Sequence, residues 1–329
     1  MNINQSTIIH FLISSEEPWT RYRTYRDILK LDEASTEVQA ARIAMLAHPQ
    51  IQTLVEKASA WGDQQPLKRH NDANHPLYAL LALADFGLIY TDEGIQPILE
   101  KIVAKQSPEG AFYSPLLIPQ AFGGSGEVAW SWIACDTPLL IYILLAMGIS
   151  IADDRVSRAV DHYLSLSNTG VYGCIAAPEL GRFKGPGRRS DPCPMATLLA
   201  LKVYSLLPSN QCQAQAECAA EMLLNFWQHR KEKKYFLFGM GSDFCKLKFP
   251  FIWFDIVHVM EVLSRFPFAA SDPRFKEMLS LLQSQARTDG TYQAQSAYQA
   301  WKDWSFSDKK KPSPWLTFIL YRIFNRVMH

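Results

Sequence analysis

Carboxylates, thiols and imidazoles stand at regular intervals along this chain of 329 residues, each time just ahead of an apolar segment. The groups are Glu17 with Trp19 and Arg21, then His75, then Cys135, Asp136 and Thr137, then Asp191 and Cys193, then Asp255 and His258, and finally Ser313 with Trp315. Carboxylates and imidazoles with tuned pKa values move protons near neutral pH. Thiolates and imidazoles are also the common ligands of borderline metals. Polar groups and thiols gathered at the mouth of an apolar interior form the usual anatomy of a ligand site. Helix N-termini that converge there favour an anion. Asp136 and His258 are the candidate catalytic groups.

The elements that must position these groups repeat. Apolar helices are predicted at Trp19–Leu31, Pro76–Ile89, Pro138–Ser150, Pro194–Leu207, Phe254–Phe266 and Pro314–Val327, with starts 57, 62, 56, 60 and 60 residues apart. Pro18, Pro76, Pro138, Pro194 and Pro314 stand at or just before five of these starts. Proline suits the first helical turn, where an N–H has no intrahelical partner. Amphipathic helices are predicted between them, at Thr36–Ala60, Asp92–Gln106, Asp153–Ser167, Gln211–Arg230 and Asp272–Ala286, from apolar residues at three- and four-residue spacing. Several close on a Gly-plus-aromatic turn: Gly110 with Phe112, Gly170 with Tyr172, Gly290 with Tyr292. No strand alternation is evident. Six pairs of one apolar and one amphipathic helix predict an all-α fold, an α/α toroid (an α6/α6 barrel) forming a single domain over 1–329. An open α-solenoid is the alternative packing of the same repeats.

Composition narrows the class. With 48% hydrophobic and 20% charged residues the chain has material for a large core. Lys+Arg 33 against Asp+Glu 32 leaves a net charge of +1, which argues against a nucleic-acid binder. Mean hydropathy is −0.09. The longest near-apolar run, Pro138–Ala152, falls short of the roughly 20 residues a membrane span needs. The first residues carry no basic n-region, so a cytoplasmic protein is expected. Six cysteines without a secretory signal read as thiols rather than disulfides.

The repeats and the Gly-aromatic turns resemble the superfamily of squalene–hopene cyclases and protein prenyltransferase β subunits. Gln106–Phe112 and Gln285–Tyr292 are the nearest approaches to the cyclases' Gln-x-x-x-Gly-x-Trp repeat. A more local resemblance lies in Asp191-Pro192-Cys193 and Asp255-Ile256-Val257-His258, which are similar to the prenyltransferases' Asp-x-Cys and Asp-x-x-His. The resemblance implies zinc held by Asp191, Cys193 and His258, with an open position for substrate. It also implies an isoprenoid diphosphate bound by the Gly-rich basic loop Gly181–Ser190, through Lys184, Arg188 and Arg189. Trp132, Trp253 and Trp315 would line the isoprenoid pocket, where aromatic faces stabilise developing carbocations. The departures are a proline on each side of Cys193, Gly185 where the family has arginine, and no Asp-x-Asp-Asp acid motif; Ala152-Asp153-Asp154 sits instead at an outer-helix start. The resemblance also reaches poorly characterised bacterial prenyltransferase-like proteins.

Each of these residues has a plainer reading as well. Asp191 and Asp255 suit helix N-caps, Cys193 a small buried hydrophobe and His258 a core histidine. Cys135 and Cys174 could instead complete a closed Cys/His site. Two other functions stay open. One is a non-catalytic toroid that binds a lipid or a protein. The other is a carbohydrate-active hydrolase or lyase using paired carboxylates drawn from Glu127, Asp136, Asp191 and Asp255. The sequence does not specify the oligomeric state.

Overall fold

A computed structural model describes residues 5–63, 66–67, 72–181, 191–232 and 240–328. The residues fall into two compact units. The first comprises Met1–Val55, Ser242–Phe251 and Asp255–His329, and the second Glu56–Gly241 and Ile252–Phe254.

The fold is all-α, and the repeats appear hairpin by hairpin. Helix α1 (Gln5–Ile13) precedes the periodic pattern. The apolar helices are α2 (Pro18–Arg23), α5 (Pro76–Phe86), α7 (Thr137–Ala146), α9 (Pro194–Tyr204), α11 (Ile256–Leu263) and α14 (Pro314–Met328). The amphipathic helices are α3 (Thr36–Leu46), α4 (Pro49–Ser59), α6 (Ile95–Val103), α8 (Asp154–Ser165), α10 (Ser209–Gln228) and α13 (Pro273–Ser284), with a short α12 (Pro267–Ala270) before the last of these. Most boundaries shift by a few residues, and two of the larger differences have local reasons. The segment expected from Thr36 to Ala60 is two helices, because Pro49 cannot continue α3 and disfavours helical backbone at His48. The first apolar helix passes into a π-helical turn, Thr24–Ile28.

Every residue of α5 and of α9 is buried, as a helix apolar all round requires. In the second unit α5, α7 and α9 pack side by side in chain order, with α8 against α7 and α10 against α9. In the first unit α14 packs against α1, α2 and α11, while α3 covers α2 and α13 covers α11. The last helix therefore meets the first hairpin within this unit.

The Gly-aromatic turns join one hairpin to the next. Gly110 donates to Ser107 O, Gly170 to Ser167 O and Gly290 to Arg287 O, the same turn three times over. A Cβ at Gly110 (φ +109°) would lie 2.6 Å from the carbonyl oxygen of Arg158 on α8, and one at Gly170 (φ +76°) 2.4 Å from that of Gln215 on α10. Left-handed backbone and close approach to the following outer helix both demand glycine. The aromatic residues Phe112, Tyr172 and Tyr292 are buried. Gln106 Nε2 donates to Gly110 O (2.8 Å) and to Arg155 O (2.6 Å), which ties its turn to α8. Gln285 Nε2 donates to Cys245 O at 3.1 Å. The turns also reach the inner helices. Tyr172 N donates to Thr197 Oγ1 and Cys193 N to Tyr172 O; 120 residues on, Tyr292 N donates to Thr317 Oγ1 and Ser313 N to Tyr292 O.

One element was not legible. Strands β1 (Ser114–Leu117) and β2 (Val128–Ser131) form an antiparallel hairpin, Ser114 opposite Ser131. Four residues each, one containing a proline, are too few to display alternation.

Buried charge joins the inner helices within each unit. In the second unit Lys202 of α9 is wholly buried, 3.7 Å from Asp85 Oδ1 of α5, with its ammonium 4.2 Å from the centre of the Tyr142 ring of α7. Tyr142 donates to the same Asp85 oxygen at 3.1 Å. In the first unit Arg322 of α14, 120 residues beyond Lys202, bridges Asp27 Oδ2 (3.0 Å) and Glu261 Oε1 (2.9 Å). Removing one partner of a buried pair leaves the other uncompensated, at a cost of about 3–5 kcal/mol. Lys202→Met should therefore destabilise by about 3 kcal/mol in denaturant unfolding. Lys202→Met combined with Asp85→Asn should recover most of that loss. Additive losses in the double variant would show that the two groups are not coupled.

Candidate functional site

The six inner helices start on polar residues, and five of these serve their own helix or its neighbours. Glu17, before α2, accepts from Thr20 Oγ1 (2.6 Å) and from Ser305 Oγ. His75 Nδ1 accepts from Leu77 N at 3.2 Å. Cys193 Sγ accepts from Ala196 N at 3.5 Å, Asp255 Oδ1 from His258 N at 3.0 Å and Ser313 Oγ from Leu316 N at 3.2 Å. The bonds at His75, Cys193, Asp255 and Ser313 are N-cap interactions, each satisfying an amide the helix cannot, whereas Glu17 takes two hydroxyls.

Asp136 is the exception. It precedes α7 with φ −101° and ψ −42°, already helical, whereas the caps at Glu17, His75, Cys193 and Asp255 are extended. Side-chain capping requires the extended conformation. The cause is the turn before it: Ile133 O accepts from both Asp136 N (3.1 Å) and Thr137 N (3.2 Å), which winds the backbone early. The Asp136 carboxyl is 1% exposed, and neither oxygen has a hydrogen-bond partner. Burial alone pushes its pKa up to about 8, so it is mostly protonated at neutral pH. A buried acid kept neutral, yet not used to hold the fold, has the properties of a proton donor.

Thiols and phenols gather around the segment that precedes Asp136. Tyr163 of α8 donates to Ala134 O (3.1 Å), stacks on Tyr172 at 4.6 Å and is buried. Tyr172 and Tyr204 share a hydrogen bond of 2.9 Å. Burial raises the Cys135 thiol well above its ordinary pKa, and Asp136, Cys193 and Cys174 add to the effect. Cys193 is raised by burial against its contacts with the Ala196 and Met195 amides.

In the first unit Asp255 and His258 are wholly buried at the start of α11. Burial pushes Asp255 up to about 7, offset by the charge of Lys248 and the amides of His258 and Val257. Lys248 itself pairs with Asp243 Oδ2 at 3.1 Å. The His258 ring stacks on Phe251, 4.8 Å between centres. Trp315 is buried against Phe318 and Phe249.

Among the expected ligands, Asp191 is half-buried and Cys193 caps α9, both in the second unit, while His258 belongs to the first. Among the described residues no three His, Cys, Asp or Glu side chains stand together as a metal site. Trp132 packs edge-on against His162 of the outer helix α8, 5.0 Å between centres, and Trp253 is half-buried. Lys184, Arg188 and Arg189 lie outside the described residues. Glu127 is exposed. Sequence reasoning missed Asp85, Tyr142 and Lys202. The available sign was a charge inside helices otherwise apolar on every side, Asp85 in PLYALLALADF and Lys202 in PMATLLALKVY. No helix among the described residues is long and apolar enough to cross a membrane.

No family model matches the chain, and neither does any curated protein. Among solved structures it is similar to a protein from Actinoplanes, with 10% identity, a TM-score of 0.41, and coverage of 94% of this chain and 89% of that one. It is also similar to the type II terpene cyclase MstE from Scytonema in complex with geranylgeranyl dihydroxybenzoate, with 11% identity, a TM-score of 0.41, and coverage of 98% and 94%. At that score and identity neither likeness carries over a residue role or an activity.

Proposed function

We propose that this protein is an isoprenoid-handling enzyme in which Asp136 is the general acid. The observation that carries the reading is the neutral, buried carboxyl at the start of α7, which holds no part of the fold together. Its proton passes to an alkene carbon of an apolar chain. The π electrons form the new C–H bond, the adjacent carbon becomes cationic, and the carboxylate left behind gains the counter-charge it lacked. Loss of a proton from the product cation returns Asp136 to its acid form. Apolar, fully buried helices exclude the water that would otherwise trap the cation. Lys184, Arg188 and Arg189 would hold a diphosphate, and Trp132 and Trp253 would face the chain. A zinc ion belongs to the prenyltransferase-like form of the same proposal, and metal content tests it directly. The proposal takes 1–329 as one folding domain, checked by a single unfolding transition.

The test incubates full-length protein with geranyl, farnesyl and geranylgeranyl diphosphates, each with and without a divalent metal. Products are read by mass spectrometry, and metal content is measured on the same sample. Isomerised or cyclised products that retain the diphosphate support the reading. A tightly retained apolar ligand that is never converted would instead favour a binding scaffold, and turnover of oligosaccharides a hydrolase or lyase.

A further inference from the structure

The backbone entering α7 is wound where its own sequence opposes winding. Ile133 O accepts from Asp136 N and from Thr137 N, and the turn so formed, which contains Ala134, leaves Asp136 uncapped. In a helical turn the Ala134 carbonyl would accept from the amide four residues on, but residue 138 is proline and has none. Proline also disfavours helical backbone at the residue before it, here Thr137, the first residue of α7. At α5 and α9 the proline is itself the first helical residue, and an extended capping residue directly precedes it. The local sequence therefore argues for an extended entry to α7, and the turn is held from outside. Ala134 is 2% exposed, so its backbone groups need partners within the protein. Ala134 N donates to Ile175 O at 2.9 Å. Ala134 O, orphaned by Pro138, accepts from the Tyr163 hydroxyl of α8 at 3.1 Å. That hydroxyl also reaches Ala196 O of α9 at 3.4 Å, and the buried ring lies flat on Tyr172, 9° between planes.

We propose that Tyr163 is the positioning residue of this site: its hydroxyl stands in for the amide that Pro138 lacks, which keeps Asp136 wound and its carboxyl off the α7 amides. Without that donor the turn opens and Asp136 becomes extended. Its carboxyl then caps α7 through Leu139 N, as Asp255 caps α11 through His258 N. A carboxylate bonded to an amide keeps its charge more readily, so Asp136 would release its proton at lower pH. The helices packed on α7 are α5, α8 and α9. Asp85 of α5 and Lys202 of α9 are paired with each other. Cys135, Tyr163 and Cys193, shifted up by burial, and His162, shifted down by it, are neutral at pH 7. If Asp136 is the acid, losing the Tyr163 hydroxyl also slows turnover, and only this consequence rests on the proposed function.

The test reads the Asp136 carboxyl of full-length protein by carbon-13 NMR across pH, its signal assigned by its loss in Asp136→Asn. Tyr163→Phe should lower the midpoint by about one pH unit or more, a tenfold gain in acidity. Tyr204→Phe removes a neighbouring phenol that bonds Tyr172 and not Ala134, and should leave the midpoint in place. Pro138→Ala added to Tyr163→Phe returns an amide to Ala134 O and should restore the parent's midpoint. Where Tyr163→Phe alone does not fold, the double variant should, as read by circular dichroism. An unchanged midpoint in Tyr163→Phe, or a double variant that neither folds nor recovers the midpoint, overturns the proposal. The midpoint is read without substrate, so this proposal and the acid role of Asp136 fail separately.

Discussion

Asp136→Asn should lower turnover by about a thousandfold while making the protein more stable. A positioned general acid contributes about 10²–10⁴ in rate, and asparagine removes the transferable proton with almost no change in volume. The stability gain follows from linkage. The folded pKa of about 8 lies above the carboxyl's ordinary 3.8, so between those pH values the native state binds a proton the unfolded chain has released. Stability therefore falls as pH rises from about 4 towards 8, by on the order of 1.4 kcal/mol per pH unit. The asparagine variant carries a neutral side chain at every pH. Its advantage should be small at pH 4 and on the order of 4 kcal/mol at pH 7, and it should show as a flattened pH profile of denaturant midpoints. Turnover of the parent should fall as pH rises through about 8. A variant that keeps its rate, or loses both rate and stability, would assign Asp136 to the fold rather than to chemistry.

Glu261→Gln should lower stability by about 3–5 kcal/mol. Glu261 is wholly buried, and its Oε1 takes Arg265 at 3.0 Å, Arg322 at 2.9 Å and Arg326 at 3.0 Å. Asp27 is shared by Arg322 at 3.0 Å and Arg23 at 2.8 Å. Four guanidiniums thus face two carboxylates, and the variant leaves four facing one. Glutamine keeps the volume and an acceptor but not the charge. Burial pushes the Glu261 carboxyl up, yet Arg322, Arg326 and Arg265 together hold it far below the usual range. Its contribution is accordingly present above the unfolded value near 4.5 and lost as pH falls towards the depressed folded value. The parent and Glu261→Gln should converge in stability on acidification, and a constant gap down to about pH 2 would contradict the ionic account.

The same cluster shows where sequence reading stops. Arg322 and Glu261 occupy helices whose period and proline punctuation are plain in the sequence, and so is the all-α class. Gly110, Gly170 and Gly290 were legible as turns because each needs left-handed backbone, a requirement local to a few residues. The N-capping roles of His75, Cys193, Asp255 and Ser313 are similarly local, fixed by residues two or three positions on. The partners of Arg322, by contrast, lie 61 residues back in Glu261 and 295 back in Asp27. No periodicity encodes which of several possible charges will meet.

The candidate site divides along the same line. The sequence by itself determined that polar residues stand at the start of every apolar helix, because helix ends need caps and buried faces need apolar runs. Only the tertiary structure decided that Asp136, among the described carboxylates at these starts, is neither capping nor paired. That outcome depends on a turn at Ile133 which winds the backbone one residue early, and on helices packed so closely around it that almost no water-exposed surface remains. Proton affinity is set by desolvation and neighbouring charge, which are properties of packing in three dimensions and not of spacing along the chain.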